Sequence, residues 1–66
     1  MPIADSEAIR NELEQEVLER RNEVAEREKD LKMAEKKGDA ERINTRKDKL
    51  AEARAALQKA LAALNA

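Results

Sequence analysis

The stretch AEKKGDAERI, residues 34–43, contains the single glycine of a 66-residue chain. It decides whether the chain forms one long helix or two. Lys36 and Lys37 suit the last turn of a helix, where cations interact favourably with the helix dipole. Gly38 suits the left-handed residue that ends many helices, and Asp39 suits the N-cap of a following helix. These four residues predict a tight reversal of the chain.

Apolar residues before the glycine repeat with heptad spacing. The pattern has two rows spaced by sevens: Val17, Val24 and Leu31, and four positions earlier the companion row of Leu13, Arg20, Arg27 and Ala34. Such an a/d pattern is typical of a helix that packs along a coiled-coil seam. Residues before the glycine therefore predict one long amphipathic helix.

A second seam follows the glycine in a different phase. Its rows are Ile43, Leu50, Leu57 and Leu64, and three positions later Arg46, Ala53 and Ala60. Extending the first seam by sevens from Leu31 reaches Gly38, Thr45 and Glu52, so the apolar row disappears. The twelve residues from Leu31 to Ile43 are a slip of five, whereas a continuous coiled coil slips by three or four. The chain is therefore predicted to reverse.

We accordingly predict an all-α fold, an antiparallel helical hairpin of coiled-coil type forming one domain over residues 1–66. Helix 1 is expected at about 5–37 with Asp5 or Ser6 as its cap, the turn at 38–39, and helix 2 at about 40–65. The residue numbers of two facing positions should then add up to about 77. This register pairs large side chains with small ones or with arginine. Examples are Leu13 with Leu64, Arg20 with Leu57, and Ala34 with Ile43.

The composition predicts a thin core that needs a partner. Of the 27 apolar residues, 13 are alanine, and there is no aromatic residue and no cysteine. A chain this small with no disulfide to brace it is commonly stabilised by association. We therefore expect a homodimer in which two hairpins form a four-helix bundle, or a hairpin docked on a helical protein partner.

The sequence has few of the residue types that enzymes use for catalysis. Histidine and cysteine are missing, and a two-helix rod offers no concave pocket for a substrate. We expect no enzyme activity, no cofactor, no metal and no small-molecule substrate. The stretch MPIADSEAIR has no apolar signal-peptide core, and no apolar run is long enough for a membrane span. We therefore expect a cytoplasmic protein without a membrane partner.

Three arginines occupy seam positions where apolar residues are usual: Arg20, Arg27 and Arg46. Their stems can cover neighbouring leucines while the charged heads stay in water, paired with Glu23, Glu28 or Asp48. Alternatively, a polar seam position fixes register or partner choice at some cost in stability. Either interpretation predicts a solvated middle to the hairpin.

Apolar residues concentrate where the two termini meet. The candidate protein interface consists of Ile9, Leu13, Val17, Leu18, Leu57, Leu61 and Leu64. Leu18 and Leu61 fall off the seam, and helix propensity of the alanine-rich C-terminal segment does not explain them. The sequence therefore favours an interface at this end of the hairpin.

A basic cluster near the turn offers a second hypothesis. Its candidate contacts to nucleic acid are Lys36, Lys37, Arg42 and Arg46. Interleaved acidic residues, a net charge of −1 and the lack of aromatic residues for base stacking weaken this alternative. A small RNA- or DNA-binding dimer is therefore the alternative to a protein-binding module.

In size and tight turn, the predicted hairpin is similar to plasmid copy-number regulators that dimerise into a four-helix bundle and bind paired RNA loops. The turn Gly38-Asp39-Ala40 also resembles the small helical-hairpin co-chaperones of type III secretion needle subunits. Neither resemblance transfers a functional residue. The function predicted here is that of a non-catalytic adaptor, inhibitor or chaperone-like accessory protein that works by protein–protein contact.

Overall fold

The computed structural model is a hairpin of two helices. It describes the backbone of residues 2–66 and the side chains of residues 7–66. Helix α1 spans Pro2–Lys37 and helix α2 spans Ala40–Asn65. They pack against each other in a rod whose Cα atoms extend over 56 × 14 × 11 Å. The predicted helical hairpin is confirmed, whereas the four-helix bundle concerns contacts between chains and stays a prediction.

Helix α1 begins at Pro2, three residues before Asp5. Proline is compatible with a first helical turn because that turn leaves its backbone N–H groups without intrahelical acceptors. The caps predicted at Asp5 or Ser6 involve side chains that lie outside the described ones.

Gly38 ends α1 in the left-handed conformation expected from the sequence. Its φ is +72°, and its backbone N–H donates to the carbonyl oxygens of Ala34, at 3.0 Å, and Glu35, at 3.2 Å. These bonds satisfy two of the carbonyls that the last turn of a helix leaves free. The positive φ strains any residue with a Cβ, so glycine at this position makes the reversal possible.

Asp39 starts α2 as its N-cap. Its backbone is extended, with φ −86° and ψ 103°, and its Oδ1 accepts a hydrogen bond from the Arg42 backbone N–H at 3.2 Å. The Asp39 carbonyl oxygen accepts from the Ile43 N–H at 2.9 Å, the first bond of the new helix. Two adjacent residues thus end one helix and begin the next.

The predicted seam is the surface that the two helices bury. All 14 of its positions are buried or half-buried. The fully buried residues within 7–66 are Val17, Ala34, Leu50, Ala53 and Ala60. Three of these five are alanine, which lets the two helices approach closely but contributes little apolar area. The hairpin therefore has a narrow seam in place of a closed core.

The lining of two shallow grooves shows how the helices align. Arg20 lies beside Ala56 and Ala60 in one groove, and Ala34 lies beside Arg42 in the other. These neighbours are within one helical turn of the facing pairs predicted from the sequence.

The two helices differ in length, which leaves part of α1 without a neighbour. At about 1.5 Å per residue, α1 is about 54 Å long and accounts for the whole rod, whereas α2 reaches only about 39 Å from the turn. About ten residues of α1 therefore run past the end of α2. Ile9 belongs to this overhang, and 57% of it is exposed.

Candidate functional site

Leu18 and Leu61 lie on one side of the rod, together with an ion pair that joins the helices. The Arg54 Nη2 atom lies 3.6 Å from the Glu28 Oε1 atom across the hairpin. Leu61 is seven residues after Arg54 and therefore points to the same side of α2. Leu18 adjoins Arg21, which is seven residues before Glu28, and lies on the outer edge of that side of α1. The two leucines therefore lie on one side, and Leu18 is 52% exposed while Leu61 is half-buried.

The same side carries two rows of exposed residues without charge. On α1 the row is Asn11, Leu18 and Ala25, and on α2 it is Asn44, Ala51, Gln58 and Asn65. Each row is spaced by sevens, so its members share one face of their helix. We call these seven residues, together with Leu61, the uncharged flank. Charged residues make up 44% of the chain, and only Lys32 continues the α1 row with a charge.

The opposite side of α1 has a different character. Its corresponding exposed row is Glu12, Glu19, Glu26 and Met33, of which three are acidic. Met33 is 54% exposed, about as much as Leu18. Exposed apolar residues that stand singly among charges are ordinary on protein surfaces. Charged residues, Arg21, Glu28 and Arg54 among them, stand between the two uncharged rows of the flank. The difference in charge between the two exposed rows of α1 favours the uncharged flank as the contact surface.

The structure places the seven predicted interface residues in three environments. Leu13, Leu57 and Leu64 are half-buried members of the seam between α1 and α2. Val17 is buried in that seam, with 5% exposed. Ile9 lies on the α1 overhang, on the side away from the uncharged flank. Of the predicted set, Leu18 and Leu61 therefore remain available together on one face.

Sequence reasoning missed five members of the uncharged flank. Asn11, Ala25, Asn44, Gln58 and Asn65 are neither seam residues nor large apolar residues, so nothing singles them out one at a time. The available signal was the seven-residue spacing of uncharged positions in each half. It becomes a surface only when the two helices are aligned side by side.

The two seam arginines of α1, Arg20 and Arg27, form ion pairs with acidic residues of the same helix. The Arg20 Nη1 atom lies 3.3 Å from the Glu23 Oε2 atom, and its Nη2 atom lies 3.8 Å from the Glu16 Oε1 atom. Arg27 lies 3.9 Å from Asp30. The expected pairing of Arg20 with Glu23 is confirmed, and its side chain is 39% exposed, as expected for a stem that covers the seam.

The other two acidic partners expected for the seam arginines behave differently. Glu28 pairs across the hairpin with Arg54, which is not a seam residue. Asp48 and Arg46, whose side chains are both described, make no ion pair with each other. The ion pair of Glu28 joins the two helices on the side of the uncharged flank and so marks the side that they share.

The basic cluster surrounds the turn and is open to solvent. Lys36, Lys37 and Arg42 are exposed, and Arg46 is half-buried. The Arg42 Nε atom lies 3.6 Å from the Asp39 Oδ2 atom, so the capping carboxylate partly neutralises this cation. The cluster lies at the turn end of the hairpin, where Lys37, Arg42 and Arg46 line a shallow groove that also contains Asp30.

Two further features of the described residues bear on the class of protein. Among residues 7–66, no group of three or more acidic side chains is arranged to hold a metal ion. Neither helix, over residues 2–66, has an apolar stretch long enough to cross a membrane. The surface features to be explained are therefore the uncharged flank and the basic cluster.

Comparison with known families identifies a match over most of the chain. Residues 4–59 match the model of a family described as "Protein of unknown function (DUF1090)", which covers most of the chain. The chain belongs to this family. No curated protein and no solved structure gives a significant match. The description of DUF1090 names no activity, so the function has to be argued from the geometry.

Proposed function

We propose that this DUF1090 chain is a non-catalytic protein–protein interaction module that self-associates, with two hairpins packing as a four-helix bundle. The observation that carries the proposal is that exposed Leu18 and half-buried Leu61 lie on one side of a hairpin in which three of the five buried residues within 7–66 are alanine. Covering these leucines would supply the apolar burial that the seam lacks. Each fully buried leucine contributes about 2 kcal/mol.

The shape of the hairpin supports the same proposal. A single seam between two helices leaves both sides of the rod in solvent, and small domains of this kind are commonly stabilised by oligomerisation. A second hairpin on the uncharged flank creates a four-helix core in which Leu61 and Leu18 join the seam leucines. In this arrangement the protein works as an adaptor, an inhibitor or a chaperone-like accessory protein in the cytoplasm.

The deciding measurement is the molar mass of the purified protein by light scattering, from low-micromolar to near-millimolar concentration. We expect twice the chain mass of 7.5 kDa, with dissociation on dilution. A folded monomer whose mass does not change with concentration would contradict self-association. Low helicity by circular dichroism, restored by a larger protein, would instead indicate an adaptor that folds only on its partner.

The nucleic-acid alternative rests on the exposed cations at the turn. It predicts a salt-sensitive gel shift with RNA or DNA that is weakened when Lys36, Lys37 and Arg42 are all changed to glutamate. Reversing these three charges should leave self-association through the uncharged flank intact. The absence of any shift at low salt would remove the nucleic-acid alternative.

A further inference from the structure

Leu18 lies near the midpoint of the rod. It is 16 residues after Pro2 and 19 before Lys37, the two ends of α1. At 1.5 Å per residue, Leu18 is therefore about 29 Å from the turn in a rod 56 Å long. Leu61 is 21 residues after Ala40, or about 32 Å from the turn. The apolar part of the uncharged flank is thus central and not terminal.

Charge is distributed unequally about this midpoint. The half distant from the turn, residues 7–19 and 58–66, contains five acidic and two basic residues, a net charge of −3. The half nearest the turn, residues 27–50, contains nine basic and six acidic residues, a net charge of +3. The intervening residues, 20–26 and 51–57, carry three of each sign and are neutral. The hairpin is therefore an electric dipole along its long axis.

We propose that the partner on the uncharged flank is a second copy of this chain in antiparallel orientation, with the two-fold axis beside Leu18. This inference rests on the proposed self-association and adds its surface and direction. A two-fold axis at the middle of the rod brings Leu18 and Leu61 of both copies together. It also places the acidic end of each rod against the basic turn end of the other.

The other orientations conflict with either the charges or the leucines. A parallel dimer places the two halves of net charge −3 side by side and the two halves of net charge +3 side by side, which is electrostatically unfavourable. An end-to-end dimer that overlaps only at the acidic ends also opposes like charges. Only the fully overlapping antiparallel pair joins the central leucines and the complementary ends at once.

The area available is adequate for a stable dimer. Over the roughly 39 Å where both helices lie side by side, the broad face is 14 Å wide over its Cα atoms, or about 550 Å². Two such faces in full contact bury about 1,100 Å², just above the roughly 1,000 Å² expected of a specific interface. A shorter overlap confined to one end would bury about half of this and fall below that range.

The orientation is tested with spin labels, which is straightforward because the chain has no cysteine. Lys36→Cys labels an exposed position next to the turn, and Asn22→Cys labels one near the middle of the rod. In the antiparallel dimer, the two Lys36→Cys labels should be about 50 Å apart, because each lies about 25 Å from the axis. The two Asn22→Cys labels should be within about 35 Å, or three helix diameters.

Two results of this measurement overturn the inference in different ways. A distance below about 35 Å between Lys36→Cys labels, the bound for labels at the same height of the rod, would indicate a parallel dimer, so the orientation would be wrong while self-association held. If neither label gives an intermolecular distance and the molar mass is that of a monomer, the proposed self-association is contradicted as well.

The surface is tested by a matched pair of substitutions on α1. Leu18→Glu and Met33→Glu each place a charge at a large apolar residue of α1 that is 52% or 54% exposed, the first in its uncharged row and the second in its acidic row. We expect Leu18→Glu to raise the dimer dissociation constant at least about 30-fold, since two half-exposed leucines leave one interface. Met33→Glu should change it less than about threefold, because the residue faces solvent in this dimer.

The reverse result, with Met33→Glu dissociating the dimer and Leu18→Glu leaving it intact, would place the interface on the acidic side and overturn the inference. If both substitutions change the dimer dissociation constant only slightly and to the same extent, the uncharged flank is likewise excluded as the dimer interface. Helicity measured by circular dichroism checks that both variants fold. Because both residues are exposed, neither substitution disturbs the seam within the hairpin.

Discussion

Gly38→Ala tests the reason for which the chain reverses. The φ of Gly38 is +72°, a conformation that residues with a Cβ rarely adopt. A Cβ added at Gly38 meets no atom within 4 Å. The substitution therefore isolates backbone strain from steric collision, and its effect on stability can be estimated from two opposing contributions.

The first contribution is the strain of the left-handed conformation, about 1–2 kcal/mol for an L-residue. The second is the smaller conformational freedom of alanine in the unfolded chain, which stabilises the folded state by about 0.4–1 kcal/mol. The difference is a destabilisation of about 1 kcal/mol. For a domain of this size, that corresponds to a fall of about 4–8 °C in the melting temperature.

The assay is urea unfolding followed by circular dichroism, with wild type and variant at the same protein concentration because association contributes to stability. Gly38→Asn is the control, since asparagine tolerates the left-handed region better than alanine does. We expect Gly38→Asn to lose less stability than Gly38→Ala. Sedimentation velocity shows whether either variant has opened into a single extended helix.

Three outcomes would refute this explanation of the turn. If Gly38→Ala is as stable as the wild type, backbone strain does not limit the choice of residue. A loss above about 3 kcal/mol, beyond the cost of a left-handed alanine, would require a collision that the geometry lacks. An extended variant would show that one continuous helix competes with the hairpin, although its seams would be out of phase.

Three further substitutions test the cap, the seam and the buried apolar contacts. Asp39→Ala removes the side chain that accepts from the Arg42 N–H and should cost about 1 kcal/mol in urea unfolding, while Asp39→Asn should cost less. Leu50→Ala, at a buried seam position, should cost about 2–3 kcal/mol, the lower part of the usual range because the narrow seam can close around the gap; a loss below about 0.5 kcal/mol would contradict its place in the core. Arg20→Leu should be neutral or stabilising, because both ion pairs of Arg20 are part-exposed and weak. A large loss of stability, or a change of molar mass in light scattering, would instead assign Arg20 a role in register.

Local spacing was sufficient to predict the hairpin itself. The loss of seam phase between Leu31 and Ile43 excludes one continuous coiled coil, and Gly38 with Asp39 matches the residues that a helix end and a helix start require. Both are properties of short segments, governed by backbone conformation and by the periodicity of side chains around a single helix. They can therefore be predicted from the chain without knowing what lies beside it.

The candidate surface required the helices to be aligned. Leu18 and Leu61 are 43 residues apart, and spacing within either helix cannot show that they lie on one side of the rod. Packing along the seam fixes the rotation of each helix, and the cross-helix ion pair of Glu28 with Arg54 marks the side they share. The unequal helix lengths already follow from the predicted bounds of 5–37 and 40–65, and they place Leu18 near the middle of the rod. Side-chain position around the rod depends on both helices at once, so it belongs to the tertiary structure.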